Sequence, residues 1–337
     1  MARALDRLFT RLRSRSDIAQ LRDGARSRAA ALHRVAVRPR DPATERPPTT
    51  LGAYLRLMRF DRPIGFFLLG WPTLWALWIA AEGPPPLWLL LVFIAGIIVT
   101  RAAGCVINDY ADRDIDPHVA RTASRPIASG QIKPENALAL FGVLMLIALI
   151  LVLTLPALAW LLAVAGALLA ATYPFMKRFH HLPQVHLGAA FGVAVPMAYA
   201  AVQDSLPPIA WLLFTATLVW TVAYDTMYAM ADREEDLRIG VKSTAILFGE
   251  ADRVAVGVLQ ITTLGALALV GQNAQLGPWF YAGLGVAALL AGFQQWLIRG
   301  RDPAACFRAF LNNNWFGLAV FAGIALDFAM SATRVAV

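Results

Sequence analysis

Two short stretches carry most of the acidic side chains outside the first fifty residues, and both are spaced for chemistry. The first reads Asn108-Asp109-Tyr110-Ala111-Asp112-Arg113-Asp114-Ile115-Asp116, and the second runs from Asp225 through Tyr228 and Asp232 to Asp236. On a helix, Asp109, Asp112 and Asp116 would stand at i, i+3 and i+7, and Asp225, Tyr228, Asp232 and Asp236 at i, i+3, i+7 and i+11, so that each set lines one face. Carboxylates that close repel one another unless cations lie between them. Their oxygens are the hard donors that Mg²⁺ takes, a few per site, leaving positions for water and phosphate. The pattern therefore predicts a phosphate group bridged by Mg²⁺ ions on Asp109, Asp112, Asp116, Asp225, Asp232 and Asp236. Basic side chains trail each cluster, Arg121 and Arg125 after the first and Lys242 with Ser243 and Thr244 after the second, as donors for phosphate oxygens that no metal takes. Ala-Asp-Arg followed by two residues and Asp occurs at both 111–116 and 231–236, which marks an internal duplication with a period of about four helices.

The elements that must position these acids are apolar. The chain has 337 residues, 58% hydrophobic and 15% charged, with a mean hydropathy of +0.56. That composition excludes a water-soluble globule, a disordered chain and, with only Cys105 and Cys306, a disulfide scaffold. Nine runs are long enough to cross a hydrocarbon core of about 30 Å as helices: 64–81, 87–107, 137–155, 157–175, 185–202, 209–230, 254–271, 279–298 and 315–332. None alternates with the period of two expected of a membrane barrel, so the expected class is all-α integral membrane. Arg101, Asp225 and Asp327 are the three formal charges inside these runs, and an intramembrane charge is a functional suspect. Loops after the first, third, fifth and seventh runs lack Lys and Arg, whereas the others are basic. The positive-inside rule then places the N-terminus and both acidic clusters in the cytoplasm. Sorted this way, the net charge of +8 marks membrane orientation and does not indicate a nucleic-acid partner.

Residues 1–50 read as a separate basic tail, rich in Arg and free of Lys, held near anionic lipid by its charge. A mitochondrial targeting peptide is the alternative, weakened by Asp6, Asp17, Asp23, Asp41 and Glu45. His180, His181 and His186 read as interfacial side chains. The ten Trp are expected mostly at span ends as an aromatic belt, and Gly188 to Gly192 as a site of close helix contact.

The two acidic motifs resemble the paired signatures of the UbiA-type intramembrane aromatic prenyltransferases. The likeness extends through Arg62-Pro-Ile-Gly65, Trp71 to Trp78, Arg101 to Asp109, Tyr173 to Arg178, Ile239 to Gly249, Ala305-Cys306-Phe307 and Asn312 to Asn314. It covers about residues 51–331, so the domains are expected as the tail 1–50 and a transmembrane prenyltransferase domain 51–337. The resemblance implies nine helices, arranged as two four-helix halves around a central cavity plus one further helix. It also implies an activity, Mg²⁺-dependent transfer of a polyprenyl chain from its diphosphate to the carbon ortho to the hydroxyl of 4-hydroxybenzoate, in a bacterial inner membrane and in ubiquinone biosynthesis.

On that reading Asn108 joins the metal-holding acids and Asp232 takes the phenolic proton or stabilises the ring intermediate. Tyr228 either bonds the diphosphate or acceptor or packs between helices. The acceptor's carboxylate calls for an Arg fork, with Arg178 the first choice and Arg59 or Arg62 the next, and Lys177 joins Arg121, Arg125 and Lys242 on the diphosphate. Related prenyltransferases with other aromatic acceptors share the aspartates. A cation transporter would need its acids near the bilayer midplane, not at one end of the helices.

Overall fold

The computed structural model describes residues 50–335 apart from 115, 119–121 and 241; the side chains of 118, 174, 175, 177–179, 239 and 332–335 lie outside the description as well, as does the tail 1–49. Among the described residues the only regular structure is helical. We number the helices α1 (Thr50–Leu57), α2 (Ile64–Ala80), α3 (Leu87–Ala111), α4 (Pro134–Leu153), α5 (Ala157–Phe179), α6 (Pro183–Gly192), α7 (Ala194–Gln203), α8 (Pro208–Ile239), α9 (Thr244–Phe248), α10 (Asp252–Asn273), α11 (Pro278–Ile298) and α12 (Pro303–Val335). A helix therefore covers each expected apolar run. Seven segments are long and apolar enough to cross a membrane, α6 and α7 counting as one and α9 with α10 as another; Ile64–Ala80 and Ala157–Tyr173 are apolar but shorter. The protein is integral to a membrane.

Local sequence explains the boundaries. Pro stands at the first position of α4, α6, α8 and α11, where its missing N–H would have had no partner anyway. The fifth apolar run is broken at Val193 because Pro196 cannot donate to the carbonyl of Gly192. Gly240, at φ +72°, ends α8 in the left-handed conformation that glycine adopts without penalty.

Helices surrounded by lipid gain little from the hydrophobic effect, so close contact must come from shape. A Cβ at Gly188 would lie 2.9 Å from the carbonyl oxygen of Leu218, and one at Gly192 would lie 2.8 Å from the Phe214 ring, so these two glycines let α6 lie against α8 as their spacing suggested. The last helix, α12, packs on α11, α8 and α2 and so ties the ninth run to both halves of the chain. Its three consecutive asparagines each reach a different partner: Asn312 Oδ1 accepts from Gln294 on α11, Asn313 Oδ1 from Trp220 on α8 and Asn314 Oδ1 from Trp71 on α2, all at 3.0 Å.

The hydrophobic interior is divided. Ala53, Leu57, Ala102, Ala103, Val106 and Ile127 form a small cluster joining α1, the C-terminal half of α3 and the loop that follows it. A larger core runs through α2, α7, α8 and α10 to α12 and includes Trp75, Trp220, Tyr224 and Met227. Trp75 and Trp220 correct the expected aromatic belt. Both are fully buried, with their indoles bonded to Gly317 O and Asn313, whereas Trp88, Trp160, Trp211, Trp279, Trp296 and Trp315 are exposed as a belt requires.

Candidate active site

The first acidic motif sits where α3 stops. Helix α3 ends at Ala111 with Asp112 as its cap, and Asp116 lies on a separate 3₁₀ turn, Asp116–His118. The expected continuous i, i+3, i+7 helix face is therefore corrected. Five Asx residues over 108–116 are weak helix formers, and Pro117 disfavours a helical conformation at Asp116. The turn nevertheless keeps the acids together: the amide of Asp116 donates to Asp112 O at 2.8 Å, and Asp109, Asp112 and Asp116 are all buried.

Two arginines hold this cluster. Arg59 Nη2 donates to Asp109 Oδ1 at 2.7 Å and Oδ2 at 3.0 Å, while its Nη1 reaches Arg56 O. Arg59 adopts φ +62°, a strained conformation for a residue with a Cβ that the buried ion pair helps to hold. Arg125 Nη1 stands 3.1 Å from Asp109 Oδ1 and 2.8 Å from Asp116 Oδ2, bridging the two carboxylates as one cation. Thr122, whose hydroxyl donates to Asp116 O at 3.0 Å, fixes the loop that delivers Arg125.

The second motif lies wholly on α8, as expected. At 32 residues this helix is about 48 Å long, longer than a hydrocarbon core is thick, so its end carries Asp232 and Asp236 beyond the apolar run that holds Asp225. Asp225 lies within electrostatic reach of both Asp232 and Asp236. Tyr228, between them, packs its ring on Phe310 and Phe307 with centroids 5.0 and 6.0 Å apart. The following loop is fastened to the same helix: Thr244 and Thr226 share a hydrogen bond of 2.7 Å, and Gln184 accepts from the Thr244 amide at 3.1 Å. This places Lys242 two residues from a fixed point, with its side chain half-buried.

Behind the second motif stands a group the sequence did not suggest. Asp252 is fully buried at the start of α10 and receives Arg301 through Nε at 2.9 and 3.1 Å and Nη2 at 2.9 Å, and Arg233 at 3.4 Å. Three helix ends are thereby joined beside Asp232. The neighbouring Ala-Asp-Arg repeat offered a hint, since Arg233 needed a partner, but the partner lies 19 residues on in a helix that reads as plainly apolar.

Arg101 was visible as an intramembrane charge but had no role. Its guanidinium is within electrostatic reach of Asp225, Tyr173 and Tyr224, and it makes no hydrogen bond or ion pair to another described side chain. Of the arginines first considered for the acceptor, Arg59 already grips Asp109, and Arg62 is 74% exposed beside Asp61. The side chains of Lys177 and Arg178, and Arg121 altogether, lie outside the described residues. Cys105 and Cys306 are buried free thiols. Asp327 is buried and accepts the amide of Gly277 at 2.6 Å, capping α11.

Among the described residues no three Asp, Glu, His or Cys side chains form a ready cage for a metal ion. The donor set nevertheless suits Mg²⁺, since it consists of carboxylate oxygens, and Arg125 already stands as a bridging cation between Asp109 and Asp116.

Comparisons with known proteins point the same way. The model of the UbiA prenyltransferase family matches residues 69–320. A 4-hydroxybenzoate octaprenyltransferase of Xanthomonas oryzae pv. oryzae (strain PXO99A) is 58% identical over 279 residues, covering 83% of this chain and 93% of the relative. One of Hahella chejuensis (strain KCTC 2396) is 57% identical over 291 residues, covering 86% and 97%. Among solved structures, an apo UbiA homologue from Aeropyrum pernix K1 superposes with a TM-score of 0.68 at 25% identity over 77% of this chain and 97% of that one. A UbiA homologue from Archaeoglobus fulgidus bound to GPP and Mg²⁺ gives 0.61 at 18% identity, over 81% and 99%, a likeness of fold.

Proposed function

The chain belongs to the UbiA prenyltransferase family, and from that premise we propose that it transfers a polyprenyl chain from its diphosphate to the ring carbon ortho to the hydroxyl of 4-hydroxybenzoate. The observation that carries this reading is the meeting of chemistries at one end of the helices. Two aspartate motifs are suited to a metal-bound diphosphate, and Asp225 of the second lies within electrostatic reach of an intramembrane arginine suited to a carboxylate. The relatives' names make octaprenyl diphosphate the first donor to test.

Asp109, Asp112, Asp116, Asp225, Asp232 and Asp236, with Asn108, would hold Mg²⁺, which when bound offsets the charge on the departing diphosphate. Arg125, Arg121, Lys177 and Lys242 take the remaining diphosphate oxygens, and Tyr228 lies within one helical turn of both Asp225 and Asp232. Cleavage of the allylic carbon–oxygen bond sends its electron pair to diphosphate. The ring carbon ortho to the phenol supplies the pair for the new carbon–carbon bond, and the ring then loses the proton at that carbon. Asp232 accepts the phenolic proton, which raises the ring's nucleophilicity. Buried Trp220 and Tyr224, five residues and one residue before Asp225, keep water from the allylic cation.

For the acceptor's carboxylate Arg101 joins Arg178 as a candidate fork, because its guanidinium makes no hydrogen bond or ion pair to another described side chain and is within electrostatic reach of Asp225. The basic loops support a cytoplasmic N-terminus and active site in a bacterial inner membrane. The test incubates membranes containing the protein with Mg²⁺, a mixture of polyprenyl diphosphates and 4-hydroxybenzoate, and identifies the product by mass. Prenylated hydroxybenzoate is expected, and its absence refutes the proposal.

A further inference from the structure

Gly65 lies in the first turn of α2, where glycine is a poor choice: alanine would favour the helix by about 1 kcal/mol. Its backbone is not left-handed, and no backbone atom of a neighbouring helix is among the three atoms nearest to the site of a Cβ. The three atoms nearest a Cβ built on Gly65 all belong to the Arg101 side chain, with Nη2 at 2.6 Å, Cζ at 2.8 Å and Nε closer still. The guanidinium thus lies in the space that the missing methyl leaves, with Asp225 and Tyr173 within its electrostatic reach.

We infer that Gly65 is a positioning residue for the acceptor: its absent side chain seats the Arg101 guanidinium where the carboxylate of 4-hydroxybenzoate docks. This rests on the reading of Arg101 as the carboxylate fork. The far end of an arginine moves easily, so a methyl at Gly65 displaces the guanidinium and leaves the helices in place. Bidentate geometry is lost while the charge remains.

The test uses the full chain in membranes, with the Michaelis constants of acceptor and donor measured separately. Gly65→Ala is expected to raise the KM for 4-hydroxybenzoate about tenfold, the scale of one charge-assisted hydrogen bond, with the KM for octaprenyl diphosphate within about twofold and no fall in thermal midpoint. Arg101→Gln should raise the acceptor KM at least as far, and adding Gly65→Ala to it should change nothing further. If Arg101→Gln leaves the acceptor KM unchanged, the assignment of Arg101 fails and this inference with it. If Arg101→Gln acts but Gly65→Ala does not, or the two effects simply multiply, only the role of Gly65 is overturned. The double variant keeps the test decisive should Gly65→Ala alter folding, because a structural effect would persist in the Arg101→Gln background.

Discussion

The two aspartate motifs share Ala-Asp-Arg, two residues and Asp, yet they are supported differently. The first hangs on a helix end and a 3₁₀ turn, backed by the small cluster around Leu57 and Ala103, and its carboxylates are neutralised from the front by Arg59 and Arg125. The second rides on an unbroken helix through the main core, with Asp225 in electrostatic reach of Asp232, Asp236 and Arg101. Its repeated arginine, Arg233, turns backward to buried Asp252, whereas the corresponding Arg113 lies over the Tyr110 ring at 4.5 Å and is partly exposed. The difference teaches that duplicated chemistry does not need duplicated scaffolding: one motif is braced through its own functional face, the other from behind.

The chemistry itself should be common to both motifs, and removing it gives the largest effect. Asp112→Ala and Asp232→Ala are each expected to lower kcat by about 10²–10³-fold, the scale of a lost transition-state charge contact; product formation by mass spectrometry checks this. Equal losses would confirm shared chemistry, and full activity in either variant would break the pairing. The supports should separate next. Asp252→Ala leaves Arg233 and Arg301 without their buried partner, which costs about 3–5 kcal/mol of stability. A fall in the thermal midpoint of purified protein measures it, and an unchanged midpoint would mean that the second motif needs no bracing.

This contrast bears on how much a sequence reveals. Apolar runs carry their own length and period, so helices over all nine segments could be read directly, as could the second motif, because Ala229 to Leu237 are good helix formers up to Gly240. The first motif looked helical by the same spacing, but Pro117 and a run of Asx residues won over it. Ion-pair partners were harder to foresee, since nothing local links Arg59 to Asp109 fifty residues away or Arg301 to Asp252. Arg59 was expected to grip a carboxylate and does so, but the carboxylate belongs to the protein. Arg101 was legible as an anomaly, and tertiary packing gave it neighbours, Gly65 on α2, Tyr173 on α5 and Asp225 on α8.

Arg125 sharpens the comparison on the front of the first motif. It bridges Asp109 and Asp116 and is also proposed to receive diphosphate oxygens, so it competes with a metal ion for one partner and cooperates with it on the other. Arg125→Ala should therefore lower the Mg²⁺ concentration for half-maximal thermal stabilisation about threefold while raising the KM for octaprenyl diphosphate about tenfold, from the loss of one charge-assisted contact. Weaker Mg²⁺ binding in the variant would show that Arg125 supports the metal instead of standing in its place.

The smallest effect should come from the residue that duplication alone would make important. Arg113 is 36% exposed, its Nη1 donates to Tyr110 O at 3.0 Å, and its acidic neighbour Asp114 is 82% exposed, so solvent screens both charges. Arg113→Ala should change stability by less than about 1 kcal/mol, the range for exposed ion pairs and cation–π contacts. Arg233→Ala, in the equivalent position, removes one of the two cations on buried Asp252 and should cost more than Arg113→Ala and less than Asp252→Ala, because Arg301 remains. Thermal unfolding of the three variants side by side tests that order. An Arg113→Ala loss equal to that of Arg233→Ala would mean that the first motif has a brace of its own behind it, and that the two halves are more alike than their turns and cores indicate.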